Sequence, residues 1–406
     1  MKRLPEKPAL AADPFPPEMR YTALFWRFLK FGALAFGGPV AQIAMIRREL
    51  VDEEKWISSG HFNRLMAIMQ VLPGPEAHEL CVHLGIRAKG RLGGVLAGLG
   101  FMLPGLLLML ALAWAYTRFA IGGTVVGALF LGVQAAVIAL IFRAVHRIGE
   151  HVLVDRWLWL TAIAAAAASL AGASFWIVLP AAGLAYAFAA TGRLWWAAAT
   201  VALAAGVATA LLPGQPAASQ LIAAASPTPL ALFWSGLKGG LLTFGGAYTA
   251  IPFIRNDTVG RGWMTDAQFL DGLGLSGVLP APLVIFATFV GYVSAGLWGA
   301  LAITAGMFLP AFAFSLLFYE RLEAVLEDSR LQHFLQGVAA GVVGLIAVTL
   351  ISLARSAATA AAAASGNLLV SAAILFATLA LLYRWKHRLA PLAVVALGAV
   401  AGLLLH

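Results

Sequence analysis

The chain repeats itself once along its length. Phe25 aligns with Phe233 at an offset of 208, and that offset also pairs Lys30 with Lys238, Phe36-Gly37-Gly38 with Phe244-Gly245-Gly246, Ile43 with Ile251 and Arg47 with Arg255. At 207 it pairs Trp56 with Trp263, Phe62 with Phe269, Leu72-Pro73 with Leu279-Pro280 and Pro75 with Pro282. At 206, Gly90 and Leu103-Pro104 match Gly296 and Leu309-Pro310. So many ordered matches across two small gaps make the halves homologous. Any fold must therefore be built from two related units.

Of the 406 residues 61% are hydrophobic and only 11% are charged; mean hydropathy is +0.88. Soluble domains carry about 25% charged residues, so the pattern predicts an all-α polytopic membrane protein. The net charge of +9 comes from 27 Lys+Arg against 18 Asp+Glu. Those basic residues cluster in short loops, where they orient a membrane protein rather than bind nucleic acid. Cys81 excludes an internal disulfide framework and reads as a small apolar filler. Residues 1–20 lack an apolar stretch of their own, so they read as a disordered cytoplasmic arm, not a signal peptide.

Apolar runs predict helices over 92–119, 124–147, 157–171, 174–190, 194–212, 297–319, 331–354, 367–383 and 390–405. The organisation expected is an arm (1–20), a first repeat (21–192), a linker span and loop (193–227) and a second repeat (228–406). The second half has no counterpart to 194–212, and one extra span between two repeats inverts the second. Alternating spans put Arg87, Lys89, Arg91, Arg143, Arg147, Arg156, Arg193, Arg321, Arg330, Arg384, Lys386 and Arg388 on one side. The loops IGGT, AGAS, PGQPAASQ and SAATAAAAASGN fall on the other, almost uncharged; Arg118 and Arg355 are exceptions that can snorkel. The positive-inside rule then gives a cytoplasmic N-terminus and a C-terminus on the opposite side.

Each half opens with two breaks, FGGP then PGP, and FGGA then PAP. The pieces between them are too short to cross a core of about 30 Å. They read as re-entrant helical hairpins with tips at Gly37-Gly38, Pro73-Gly74-Pro75, Gly245-Gly246 and Pro280-Ala281-Pro282. The second helix of each hairpin starts at its tip and aims unpaired N–H groups at the membrane centre. Glycine exposes that backbone, and proline in a first turn gives up an N–H without a helical partner. Four such starts form an anion site with few charged side chains. Against this stands simple kinking or close packing, the better reading for one break but not for four symmetric ones.

The candidate binding set is Lys30, Gly37, Gly38, Pro39, Arg47, Gly74, Pro75, Glu79, Lys238, Gly245, Gly246, Tyr248, Arg255, Pro280 and Pro282. Lys30 and Lys238 lie about 9 Å before each Phe-Gly pair, where a lysine is costly unless it serves a function or snorkels. Arg47 and Arg255 lie nearer an exit, whereas Arg48, Glu49, Asp52, Glu53, Glu54 and Lys55 read as a solvated face. Glu79 is an intramembrane acid beside the PGP tip and a candidate for proton coupling. His78 and His83 stand five residues apart, about 140° from a shared helix face, so HELCVH is a poor zinc motif. GLSG at 274–277 raises an intramembrane hydrolase as the rival reading, but no histidine base is evident. No metal or cofactor is expected.

FGGPVAQIAMIRREL, MQVLPGPEAHELCVHLG and GRLGGVLAGLGFMLPG, with FGGAYTAIPFIRND, WMTDAQFLDGLGLSGVLPAP and TFVGY, resemble the chromate ion transporter family in its long two-domain form. The match is dense over 25–110 and 233–312. It implies export of chromate from the bacterial cytoplasm across the inner membrane to the periplasm, and chromate resistance; the inverted halves are expected to work by alternating access. Sulfate, a dianion of similar shape, is not separated from chromate by these residues. The unlike tips imply unequal half-sites. A large apolar surface is compatible with a homodimer, with no interface legible.

Overall fold

The computed structural model describes residues 14–69, 72–119, 124–211, 226–244, 246–318, 329–365, 368–385, 387 and 389–405. Every regular element among them is helical. The first half runs α1 (Tyr21–Ala33), α2 (Gly38–Arg47) with a π-helical turn at Arg48–Glu53, α3 (Ser59–Met69), α4 (Glu76–Arg118), α5 (Thr124–Val152), α6 (Arg156–Leu170) and α7 (Phe175–Ala190). After α8 (Leu194–Leu211) the second half follows as α9 (Pro229–Leu241), α10 (Ile251–Thr258), α11 (Asp266–Val278), α12 (Phe286–Phe318), α13 (Ser329–Ser365), α14 (Leu368–Arg384) and α15 (Ala390–Leu405). Short 3₁₀ turns at Ala247–Ala250 and Leu283–Ile285 lead into α10 and α12. Stretches long and apolar enough to cross a membrane are Glu76–Arg118 (α4), Gly127–Val152 in α5, Leu283–Leu317 from the second 3₁₀ turn through α12, and Ser329–Ala363 in α13.

Local chemistry explains most of the boundaries. Asp155 caps α6 by accepting from the Trp157 and Leu158 amides, Thr228 caps α9 ahead of Pro229, and Thr265 with Gln268 closes a capping box on α11. Arg87 donates to the Pro14 carbonyl and lies over the Phe15 ring, so residues 14–20 of the arm rest on the first half.

Two expected boundaries need correction. The helices expected over 92–119 and 297–319 begin earlier, at Glu76 and Phe286, because each hairpin's returning limb continues into the long span. The join is a sharp corner at Lys89-Gly90 (Gly90 φ 66°, ψ −166°) and at Ala295-Gly296 (Gly296 φ 64°, ψ −156°). Only glycine adopts that conformation without strain. Residues 356–365 of SAATAAAAASGN are helix rather than loop, because α13 continues to Ser365, as an alanine-rich segment favours. Glu54 is exposed, as a solvated face requires, with Arg27 and the Trp56 indole against its carboxylate. Gly245, Arg321, Lys386, Arg388, and the loops at 121–123 and 213–220 lie outside the described residues.

The two halves pack internally in the same way. A side chain on Gly32 would meet the Phe101 carbonyl at 2.2 Å, and one on the equivalent Gly240 the Met307 carbonyl at 2.4 Å. Likewise Gly100 faces the Phe25 carbonyl at 2.8 Å and Gly306 the Phe233 carbonyl at 2.1 Å. So α1 lies on α4 as α9 lies on α12, backbone against backbone at small residues. The halves meet along α4 and α12, where Gly98 packs on the Phe312 ring.

Candidate functional site

The four breaks occupy one place. The Gly74 amide of the PGP tip donates to the Thr243 carbonyl, just before the FGGA break, at 2.8 Å. Gln42, in the first turns of α2 after the FGGP break, donates one amide group to the Ala35 carbonyl (2.9 Å) and to the Ala281 carbonyl of the PAP tip (3.0 Å). By the repeat, Ala35 and Ala281 are the equivalents of Thr243 and Gly74. One cross-half contact is thus a direct backbone bond, and its twin runs through a side chain. Ala250 occupies the repeat position of Gln42 and offers no such group.

The helix starts differ in form. α2 follows Gly37 and Gly38, both at positive φ (91° and 80°), with Pro39 in its first turn; α4 follows Pro75. In the second half Gly246 (φ 131°) opens a 3₁₀ turn carrying Tyr248, and Pro282 opens another. Gly74, Pro75, Pro280 and Pro282 are buried, whereas Gly37, Gly38, Pro39, Gly246 and Tyr248 are half-buried. A side chain on Gly74 would stand 2.5 Å from Glu79 Oε1. Glu79 is fully buried, and neither carboxylate oxygen has a hydrogen-bond partner. His78 beside it is wedged between Phe308 and Phe312, ring centroids 5.0 and 4.7 Å away.

The basic residues of the set do not act as equal pairs. Lys238 forms an ion pair with the buried Asp257, and Arg261 lies 3.8 Å from that carboxylate. Lys30 is exposed, and no carboxylate pairs with it among the described residues; Glu49, the repeat equivalent of Asp257, acts on Arg27 instead. Arg47 and Arg255 each staple two helices. Arg47 donates to Asn63 and Ser59 on α3 (3.1 and 2.9 Å). Arg255 grips Asp266 of α11 with two bonds (2.7 and 2.9 Å) while Ser356 of α13 donates to the same carboxylate (2.7 Å). Both arginines tie the hairpin helices of their own half together.

Sequence reasoning missed Gln42 and the local role of Arg147. Arg147, counted only as an orienting charge, sits on α5 within electrostatic reach of Glu76 at the start of α4 and of Tyr248. Nothing in the spacing of either residue marks it, because each partner lies far along the chain. Replacing Gln42 with leucine keeps the bulk and removes both bonds. The loss leaves two buried carbonyls without this donor, so stability in detergent should fall by roughly 1–2 kcal/mol. Thermal unfolding of the purified protein checks this; an unchanged melting temperature would leave the bridge without a role.

The chromate transporter family model matches the chain twice, over residues 22–188 and 230–403. A protein of Pseudomonas aeruginosa named chromate transport protein is 63% identical over 391 residues, covering 95% of this chain and 93% of that one. A protein of the same name from Cupriavidus metallidurans is 32% identical over 407 residues, 96% of this chain and 95% of the relative. No solved structure matches. With both halves matched and near-complete coverage of these relatives, the chain belongs to the chromate transporter family.

Proposed function

We propose that this chain exports chromate across a bacterial inner membrane by alternating access, holding the dianion where the four breaks meet. The observation that carries the reading is the joining of helix starts from both halves by Gly74–Thr243 and Gln42–Ala281 contacts. Relatives named for chromate transport supply the substrate class. Backbone N–H groups after Gly38 and Gly246 carry the positive end of a helical turn, and Tyr248, in the turn after the latter, lies within electrostatic reach of Arg147. The carboxyl groups of Glu76 and Glu79 make the PGP tip a poor anion seat while they are charged, so the dianion belongs nearer Gly38 and Gly246. Lys30 adds an exposed cation that no carboxylate pairs with among the described residues. The rival hydrolase finds no support in the named relatives, which are transport proteins.

In this reading the first pair of hairpins enters from the cytoplasm and the second, inverted pair from the periplasm, with α8 as the linking span. The N-terminus is cytoplasmic, and a reporter fused after His406 that read cytoplasm would remove the inversion. The function is tested with the purified full chain in liposomes. Chromate should exchange across the bilayer without cleavage of any substrate, and unlabelled sulfate serves as the competitor that measures selectivity. Lys30→Ala should raise the half-saturation concentration about tenfold, the loss of one charge contact worth roughly 1.4 kcal/mol. No chromate movement under any gradient would sink the reading.

A further inference from the structure

A second buried carboxylate lies away from the four breaks. Asp271, 4% exposed, sits midway along α11. Its Oδ2 accepts from the Tyr116 hydroxyl at 2.8 Å, and its Oδ1 accepts from Gln134 Nε2 at 2.9 Å. Tyr116 belongs to α4 and Gln134 to α5, so the first half supplies both donors and the second half the acid. The Tyr116 ring packs edge-on against Phe130 and Phe289, with centroids 5.6 and 4.9 Å away. The repeat places Arg64 at the equivalent position, so this acid is unique to one half.

Among the described residues the groups that act on Asp271 are Gln134 and Tyr116, both neutral hydrogen-bond donors. From α4 the facing ionisable group is the Tyr116 phenol, and from α5 the facing polar group is the neutral Gln134. In α12 the ionisable side chain among the described residues is Tyr292; α15 and the turn at 283–285 carry none. α13 carries Arg330, His333 and Arg355, none of which acts on it, and Asp266 on α11 itself is engaged by Arg255 and Ser356. An ionised carboxylate held only by two neutral donors among aromatic rings is costly, so a proton is readily taken up there.

The site also accommodates the protonated form. A carboxylic acid needs an acceptor for its new O–H, and Gln134 Oε1 is buried with no partner. Rotating that amide by half a turn exchanges its donor for this acceptor, so the same two residues satisfy either state. Because the contact spans the two halves, any rocking of one on the other changes the donors around Asp271. Proton occupancy and the relative position of the halves are therefore linked.

We propose that Asp271, with Tyr116 and Gln134, is the proton-carrying site that couples a pH gradient to oxyanion movement. The carboxylate takes a proton from water on one side, holds it as the carboxylic acid while the halves shift, and returns it to water on the other. The proposal rests on the transport reading. Liposomes holding the full-length protein separate the two. Exchange of labelled for unlabelled chromate at equal concentrations needs no net proton movement, whereas uphill accumulation under an imposed pH gradient does. Wild type should do both. Asp271→Asn should keep exchange within about twofold and lose accumulation, since the amide can accept and donate but cannot carry a proton.

Tyr116→Phe removes one donor from the charged form, so the acid should hold its proton to higher pH. The midpoint of the pH profile for accumulation should move up by roughly one unit. Asp271→Asn that still accumulates chromate, or a folded Asp271→Asn that no longer exchanges it, would overturn the proposal. If Asp271→Asn does not fold, an unmoved midpoint in Tyr116→Phe does so. Wild-type exchange with no response to the gradient overturns this proposal alone; no exchange at all overturns the transport reading as well.

Discussion

Gly306→Leu should lower the stability of the protein in detergent by about 3 kcal/mol, the upper part of the range for overpacking. The position leaves no room for adjustment, because an added Cβ would stand 2.1 Å from the Phe233 carbonyl oxygen and 2.7 Å from the Leu237 amide nitrogen. Both neighbours are backbone, so α9 and α12 would have to separate. Gly32→Leu makes the same demand on α1 and α4, where the Phe101 carbonyl lies 2.2 Å from the added atom. Gly206 on α8 is the control, with nothing within 4 Å of an added Cβ. Gly206→Leu should sit within about 0.5 kcal/mol of wild type. Thermal unfolding followed by circular dichroism reads all three, and a Gly306→Leu protein that melts with wild type would mean the helices do not cross this closely.

The second large effect separates residues that the repeat makes twins. Lys238→Ala should destabilise the fold by about 3 kcal/mol, because it leaves Asp257 buried with only Arg261 at 3.8 Å. Lys30→Ala should cost no more than about 0.5 kcal/mol, since its exposed ammonium has no such partner to strand. Removing both charges in Lys238→Ala/Asp257→Ala should recover most of the loss, a coupling that a double-mutant cycle measures. Equal stability in the two single lysine variants would show that the Lys238–Asp257 pair does not hold the second half together.

Much of the architecture was legible because it is periodic or duplicated. The offset repeat located the breaks, and the apolar runs located most helices to within a few residues. Gly90 and Gly296 were visible as repeat partners, but not as corners inside continuous helices, because a glycine at positive φ leaves no other mark in sequence. The alanine-rich end of α13 was misread since low charge suggests a loop on the uncharged side, while alanine itself favours helix. The long-range pairings were out of reach. Gln42 meets Ala281, Tyr116 meets Asp271 and Arg147 acts on Tyr248, and no local pattern joins residues so far apart. Even Lys238 and Asp257, on neighbouring helices, were hidden, because the repeat drew attention to the lysine's twin rather than to its partner.

The unequal tip contacts bear on heredity as well as on mechanics. Two identical short chains related by a twofold axis would have to build both cross-contacts from the same residues. One codon change would then alter both at once. In this chain Gly74 and Thr243 can be kept while Gln42 or Ala281 drifts, because each contact is encoded separately. Gln42 against Ala250, and Gly74 against Ala281, are places where the halves have already parted. A chain that encodes both halves can thus vary one cross-contact while inheriting the other unchanged.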